Sequence, residues 1–268
     1  MIPLDDVKGF VFDVDGSLVH RGEDFRAVPL PGAVDVLEKI RASGRPLVLF
    51  TNGSHQNPAT FADGLTRDGL PVSEKEMLTP VDSAISYLKR NHPGVLVKVF
   101  GSDEIKERME GEGIPLTDGD EAKAVFVAHV PQADLADLEV AARAVLQGAP
   151  LLTANYGPGY WGSKGIIFSR GAMVTAAIAK VTEVEPITVG KPSEVAVQVV
   201  SERLGAPSEE IAVIGDDIDM DIGLGHLGGS KTFLVRSGLS GKIDLESVPQ
   251  AKRPHAVIDG VEEMLGAL

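Results

Sequence analysis

The sequence predicts an α/β protein: a doubly wound, Rossmann-like core on a parallel sheet, with a smaller α/β unit inserted in it. Three observations predict it. Apolar runs of strand length alternate with helix-period segments at both ends of the chain. The middle of the chain carries the same alternation with strands and helices of its own. The polar segments that carry chemistry follow directly on apolar runs or stand at helix starts, as they do in open parallel sheets.

In chain order, residues 7–12 (VKGFVF) read as a buried strand. Residues 31–43 read as a helix, with Val34, Leu37 and Ile40 on one face and Pro31 and Gly32 at its start. Residues 46–50 (PLVLF) form a second buried strand that stops at TNGS. In the middle, 95–100, 124–127 and 151–152 read as strands, and 102–112, 133–147 and 170–181 as helices. Near the other end, IAVIG (211–215) and TFLV (232–235) are strands with a helix between them. The domain division expected is 1–79 and 183–268 for the core, with 80–182 as the inserted unit.

Composition narrows the function classes. At 268 residues and 43% apolar side chains, the chain is long enough for two cores. With 25 basic and 39 acidic residues its formal charge is −14, which argues against nucleic acid or an anionic membrane as partner. A phosphorylated substrate therefore has to be drawn in by local charge. The absence of cysteine excludes disulfides, thiolate metal sites and a cysteine nucleophile. The start, MIPLDDVKGF, has acids where a signal peptide has bases, so the cytoplasm is the expected location.

The segment KGFVFDVDGSLVHRGE poses the chemical question. Asp13 and Asp15, two residues apart, would share a face if the strand ran on. At ~4 Å and an effective dielectric of ~20 their repulsion is roughly 4 kcal/mol, so a cation, a shared proton or a turn at Gly16 is required. Three further segments supply complementary groups: TNGS (51–54), GKPS (190–193) and GDDIDMD (215–221). Asp13 is the candidate nucleophile toward phosphorus, and Asp15 the acid that protonates the leaving oxygen and then activates water. Thr51 and the main-chain N–H groups through Gly53 are candidates for holding phosphoryl oxygens, and Lys191 for the fixed positive charge. Asp216 completes an oxygen-ligand site for Mg²⁺ with Asp13, while Asp217 and Asp221 are placed behind it, orienting Lys191 or metal waters. Each segment alone is an ordinary turn or helix start. Together, in this order, they supply one nucleophile, one acid, one hydroxyl, one cation and one metal ligand.

These four segments resemble the motifs of the haloacid dehalogenase superfamily, and the acid at Asp15 resembles its phosphatases. Only about twelve residues separate Ser17 from the helix near Pro31, whereas about 140 lie between Thr51 and Lys191. That spacing resembles the group with a C2 cap, and TNGS, VGKPSEVAV, IGDDIDMDI and LVRSGLS together resemble class IIA, the NagD-like or nitrophenylphosphatase-like proteins. The resemblance implies a phosphatase working through an aspartyl-phosphate on Asp13. It also implies Mg²⁺ held by Asp13, Asp216 and the main-chain carbonyl of Asp15, and Asn52 beside the phosphate-binding Thr51. Relatives with this cap often pair through it, so a homodimer through the cap is an expectation too. Ser17 departs from the usual Thr or Val, and TANYGPGYWGSKG (153–165) replaces a frequent Asn-Pro-Asp run.

That last stretch holds Tyr156, Tyr160, the only tryptophan, Trp161, and Lys164. Tyr156, Trp161 and Lys164 are candidates for contacting the leaving group of an organic phosphate, packing of the cap being the competing role. The six histidines show no metal spacing, although His20 and His55 follow two of the motifs and His129 ends a middle strand. The motifs leave two alternatives open. One is a phosphotransferase or phosphomutase using the same intermediate; the other is a receiver-like switch module carrying a phosphorylated Asp.

Overall fold

The computed structural model describes residues 3–22, 26–162 and 165–268, with the backbone alone for 160–162 and 165–166. The chain opens with strand β1 (Gly9–Phe12), and a tight loop leads into the antiparallel hairpin β2 (Val19–Arg21) and β3 (Ala27–Pro29). Helix α1 (Ala33–Ala42), strand β4 (Leu47–Phe50), helix α2 (Pro58–Arg67) and the short β5 (Met77–Leu78) follow. Next come helix α3 (Pro80–Asn91), β6 (Val97–Phe100), α4 (Asp103–Gly111), β7 (Ala124–Val127), α5 (Leu135–Leu146) and β8 (Leu151–Thr153). The hairpin β9 (Gly159–Gly162) and β10 (Gly165–Phe168), helix α6 (Arg170–Thr182) and β11 (Ile187–Thr188) complete that stretch. The last part is α7 (Glu194–Leu204), β12 (Ile211–Gly215), α8 (Gly223–Gly228), β13 (Lys231–Val235) and β14 (Ala256–Ile258).

Two compact units result. The first comprises Met1–Thr51, Pro58–Leu78 and Lys191–Leu268, and the second Asn52–Asn57 and Thr79–Gly190. The expected boundary at 182 precedes β11, a two-residue strand that the sequence reading did not find and that pairs with β8 in the second unit.

The first unit is built on a six-stranded, all-parallel sheet in the order β14-β13-β12-β1-β4-β5. Its central strands are buried on both faces, which is why they read as unbroken apolar runs. The two-residue period sorts the side chains. Phe10, Phe12, Leu49, Ile214 and Phe233 pack with Val36, Leu37 and Ile40 of α1 and Phe61 and Leu65 of α2. Val11, Val48, Phe50 and Val213 point the other way, onto Val199, Val200 and Leu204 of α7 and Leu224 of α8. Helices on both faces of a parallel sheet are the doubly wound arrangement. Sheet order reverses direction at β1, so loops after β1, β4 and β12 meet at the switch point where such sheets bind ligands.

The second unit has its own parallel sheet, β11-β8-β7-β6. Phe100, Val125, Val127 and Leu151 pack against Ala141, Ala144 and Val145 of α5 and Ile178 of α6. Asp134 caps α5 by accepting the Asp137 N–H at 2.9 Å, and Ser169 caps α6 by accepting the Ala172 N–H at 3.1 Å. Among the described residues no helix is long and apolar enough to cross a membrane.

Candidate active site

Three strand ends deliver the first residues. Asp13 follows β1, its N–H donating to the Ile214 carbonyl at 2.8 Å, so the sheet ladder continues into it. Thr51 follows β4, with its N–H on the Leu78 carbonyl at 3.2 Å, and is 6% exposed. Asp216 follows β12. Lys191 arrives from the chain just before α7, whose first turn is capped by Ser193 accepting the Ala196 N–H at 3.0 Å.

Lys191 is the centre of the arrangement. Its Nζ donates to Asp13 Oδ1 at 2.6 Å and to Asp221 Oδ1 at 2.7 Å, and it stands 5.5 Å from the centroid of the Phe50 ring. The lysine side chain is 2% exposed, Asp221 3% and Asp13 14%, so these charges interact with little solvent between them. Burial opposes the charge on Lys191, but Asp13 and Asp221 beside it win and push its pKa up. Burial lifts Asp13 to about 6 against the pull of Lys191, with Asp216 adding to the rise. Asp221 is lifted by burial to about 7, again against Lys191.

Asp216 sits in a cradle of backbone. Its Oδ2 accepts the Leu239 N–H at 2.5 Å, and its carbonyl accepts the Ser240 N–H at 2.9 Å. Gly16, at φ +88°, and Gly238 both lie so close that a Cβ on either would collide with the Asp216 carboxylate. Burial raises Asp216 to about 6, with the Leu239 N–H working against the rise. The loop that provides this support, within LVRSGLS, carried no assigned role in the sequence reading. Ser237 ties the loop to the first motif by donating to the Gly16 carbonyl at 2.7 Å.

Carboxylate oxygens of Asp13, Asp216 and Asp221 lie within 4.8 Å of one another. When all three are ionised, the single ammonium of Lys191 leaves two negative charges uncompensated; burial raises all three carboxylate pKa values, and the neighbouring carboxylates add to the rise. An all-oxygen donor set with that excess charge fits a divalent cation.

The remaining candidates fall in different places. The Asp15 side chain is 49% exposed and is not one of the trio; it pairs with Arg21 Nε at 2.6 Å. Sequence reasoning missed Arg21, because nothing about a lone arginine on a three-residue strand marks it. Asp217 turns back on its own loop, Oδ1 accepting the N–H groups of Asp219 at 2.8 Å and Met220 at 3.0 Å. That loop is a single wide turn, Ile218–Ile222, in which the Ile222 N–H reaches the Asp217 carbonyl five residues back at 3.1 Å. The wide turn brings Asp221 round to Lys191. Asn52 and Gly53 belong to the segment grouped with the second unit. Tyr156, in the second unit, is 41% exposed beside a turn in which Asn155 Oδ1 accepts the Gly157 N–H at 2.8 Å. Trp161 lies on β9, but its side chain, like Lys164 as a whole, lies outside the described residues. Also in the second unit, His55 and His129 meet ring edge to face with centroids 5.9 Å apart. His129 is kept below the usual histidine range by burial and by Arg170.

Carboxylates and one buried lysine at the switch point of a doubly wound sheet are the equipment of an enzyme that handles phosphoryl groups. Comparison with known proteins narrows this. The family model described as haloacid dehalogenase-like hydrolase matches residues 10–115, and a second, HAD-hydrolase-like model matches residues 188–264. The chain is 29% identical over 261 residues to the ribonucleotide monophosphatase NagD of Escherichia coli K12, covering 96% of this chain and 98% of that one. It is 25% identical over 244 residues to an acid sugar phosphatase of Staphylococcus saprophyticus, covering 90% and 92%. The structure superposes on a p-nitrophenyl phosphatase from Archaeoglobus fulgidus with a TM-score of 0.87 at 27% identity, covering 98% of this chain and all of the other. The chain belongs to the haloacid dehalogenase superfamily, in its NagD-like class IIA. It is a phosphatase, a hydrolase of phosphoric monoesters.

Proposed function

We propose that this phosphatase is Mg²⁺-dependent and hydrolyses small organic phosphate monoesters through an aspartyl-phosphate on Asp13. The observation that carries the reading is the bridge from Lys191 Nζ to Asp13 Oδ1 at 2.6 Å. It occupies one carboxylate oxygen and leaves the other for attack on phosphorus. Lys191 lowers the repulsion between that oxygen and an incoming phosphate dianion, and it stays in place for the charge that develops on the phosphoryl group.

The steps for this chain's residues follow. Asp13 attacks phosphorus, and the bond to the leaving oxygen breaks as Asp15 gives that oxygen a proton. Water then attacks the phosphoaspartate, its proton passes to Asp15, and inorganic phosphate and free Asp13 result. Thr51, with the N–H groups of Asn52 and Gly53, holds phosphoryl oxygens. Asp221 orients Lys191, and Asp217 shapes the turn that presents Asp221. Mg²⁺, held by Asp13, Asp216 and the Asp15 carbonyl, would neutralise charge on the phosphoryl group.

The second unit takes the place of the C2 cap in this reading and chooses the leaving group, Tyr156, Trp161 and Lys164 being its candidate contacts. Names of relatives that act on ribonucleotides, sugar phosphates and nitrophenyl phosphate support a small phosphomonoester as substrate class. A cytoplasmic location and pairing of two copies through the cap belong to the same reading and rest on composition and family resemblance.

The test is Asp13→Asn. The variant should fold as the parent does, judged by melting, and should lose Mg²⁺-dependent release of phosphate from 4-nitrophenyl phosphate. Turnover at the parental rate would overturn the assignment.

A further inference from the structure

The opening problem of two carboxylates at positions 13 and 15 is met in the structure by two cations rather than one. Lys191 is paired with Asp13, and Arg21 with Asp15 through Nε–Oδ1 at 2.6 Å. The second pair has no evident purpose as a stabilising contact. With the Arg21 side chain 35% exposed and Asp15 49%, such a pair contributes at most about 1 kcal/mol. What it does achieve is direction. An Asp carboxylate half in water samples several rotamers, and a charge-assisted bond to one oxygen selects among them.

The backbone that carries Arg21 is itself fixed relative to Asp15. The loop between them is closed by Leu18 N–H and Val19 N–H on the Val14 carbonyl, both at 3.0 Å, and by Gly16 N–H on the Val19 carbonyl at 2.8 Å. Val19 is wholly buried. Arg21 stands opposite Ala27 in the β2–β3 register, and β3 is tied down where Asp68 Oδ2 accepts the Ala27 N–H at 2.9 Å and Asp68 Oδ1 meets Arg26 Nε at 3.1 Å. The Leu30 N–H donates to the Leu18 carbonyl at 2.9 Å and closes the base of the hairpin. Arg21 is therefore a cation on a braced strand, with its guanidinium on the side chain that the first motif leaves most exposed.

We infer that Arg21 is a positioning residue for Asp15, holding one of its oxygens so that the other faces the leaving oxygen of the substrate. This rests on the function proposed above, in which Asp15 hands a proton to that oxygen as the phosphorus–oxygen bond breaks and later takes one from the attacking water. In this role Arg21 acts on the reaction through Asp15, whose oxygen it holds. General acid help of this kind is worth about 10²–10⁴-fold, and it matters most when the leaving group is a poor one.

The leaving group therefore supplies the test. Phenyl phosphate and 4-nitrophenyl phosphate have nearly the same shape, but phenolate needs a proton far more than nitrophenolate does. In single-turnover measurements with saturating Mg²⁺ on the full chain, Arg21→Ala should slow phosphoryl transfer from phenyl phosphate about tenfold or more. With 4-nitrophenyl phosphate the loss should stay under about threefold. Arg21→Lys should recover most of the phenyl phosphate rate and Arg21→Gln little of it, and these two decide the matter if the alanine variant melts early. Equal fractional losses on the two substrates, an unchanged rate with phenyl phosphate, or a faster one would each overturn the inference. The two layers fail separately: turnover by Asp13→Asn removes the underlying reading. An inactive Asp13→Asn beside an Arg21→Ala that treats both substrates alike removes only this inference.

Discussion

Lys191 and Asp221 form a buried ion pair, Nζ to Oδ1 at 2.7 Å, with side-chain exposures of 2% and 3%. Asp13 completes the group on the other side of the same ammonium. A lysine shared by a buried and a largely buried carboxylate is a place where removing one partner strands the others, because Asp221 has no water to turn to and Asp13 little.

Lys191→Ala is therefore expected to cost stability as well as activity. Leaving Asp13 and Asp221 without their cation should destabilise the fold by about 3–5 kcal/mol near neutral pH. Part of that loss should return at pH 5, where both acids can take up protons instead. Urea unfolding at the two pH values measures it. Phosphatase activity should fall by about 10²-fold or more in any fraction that remains folded. A variant with parental stability at both pH values would contradict the buried pair.

The pKa directions give a pH dependence for metal binding. Asp13 and Asp216 are raised to about 6 by burial, so the metal-free folded state binds more protons than the unfolded state, where ordinary aspartates titrate near ~3.9. Stability contributed by these groups is thus present at low pH and lost as pH rises from about 4 to about 7. His129 and His255, held low by burial, act in the opposite sense below their usual range, so melting of the metal-free protein alone mixes the two. The increment on adding Mg²⁺ separates them, since the histidines are present with and without it. Protons compete with the cation for the carboxylates, so the rise in Tm on saturating Mg²⁺ should be larger at pH 7.5 than at pH 5.5. An increment that is the same at both values would argue against metal at these acids.

Gly16 couples the backbone to the Asp216 carboxylate. At φ +88° an L side chain costs about 1–2 kcal/mol, and here the Cβ would also enter the space of Asp216. Gly44 is the control, at φ +74° with nothing near its absent Cβ. Gly16→Ala should therefore destabilise more than Gly44→Ala and should raise the Mg²⁺ concentration needed for half-maximal activity, which Gly44→Ala should leave alone. Chemical denaturation and a Mg²⁺ titration of each variant read the two effects.

Much of this was legible along the chain. The apolar runs at 9–12, 47–50 and 211–215 announce a parallel sheet because strands buried on both faces have no polar face to interrupt them. The residues after those runs, Asp13, Thr51 and Asp216, are legible for the same reason: a polar group directly after a buried strand stands at the sheet edge. Elements of two or three residues, such as β5, β11 and the β2–β3 hairpin, are too short to show a period, and the sequence reading passed over them.

What the sequence determined by itself is the inventory: the strand ends, the turn residues and the acids, hydroxyl and lysine they present. Only the tertiary structure decided the pairing of those groups. That Lys191 joins Asp13 to Asp221, that Arg21 rather than Lys191 takes Asp15, and that the Leu239 N–H holds Asp216 are contacts set by strand order and loop geometry. Charge pairing at 2.6–2.7 Å depends on where distant segments are brought to rest, and local residue pattern carries no record of that distance.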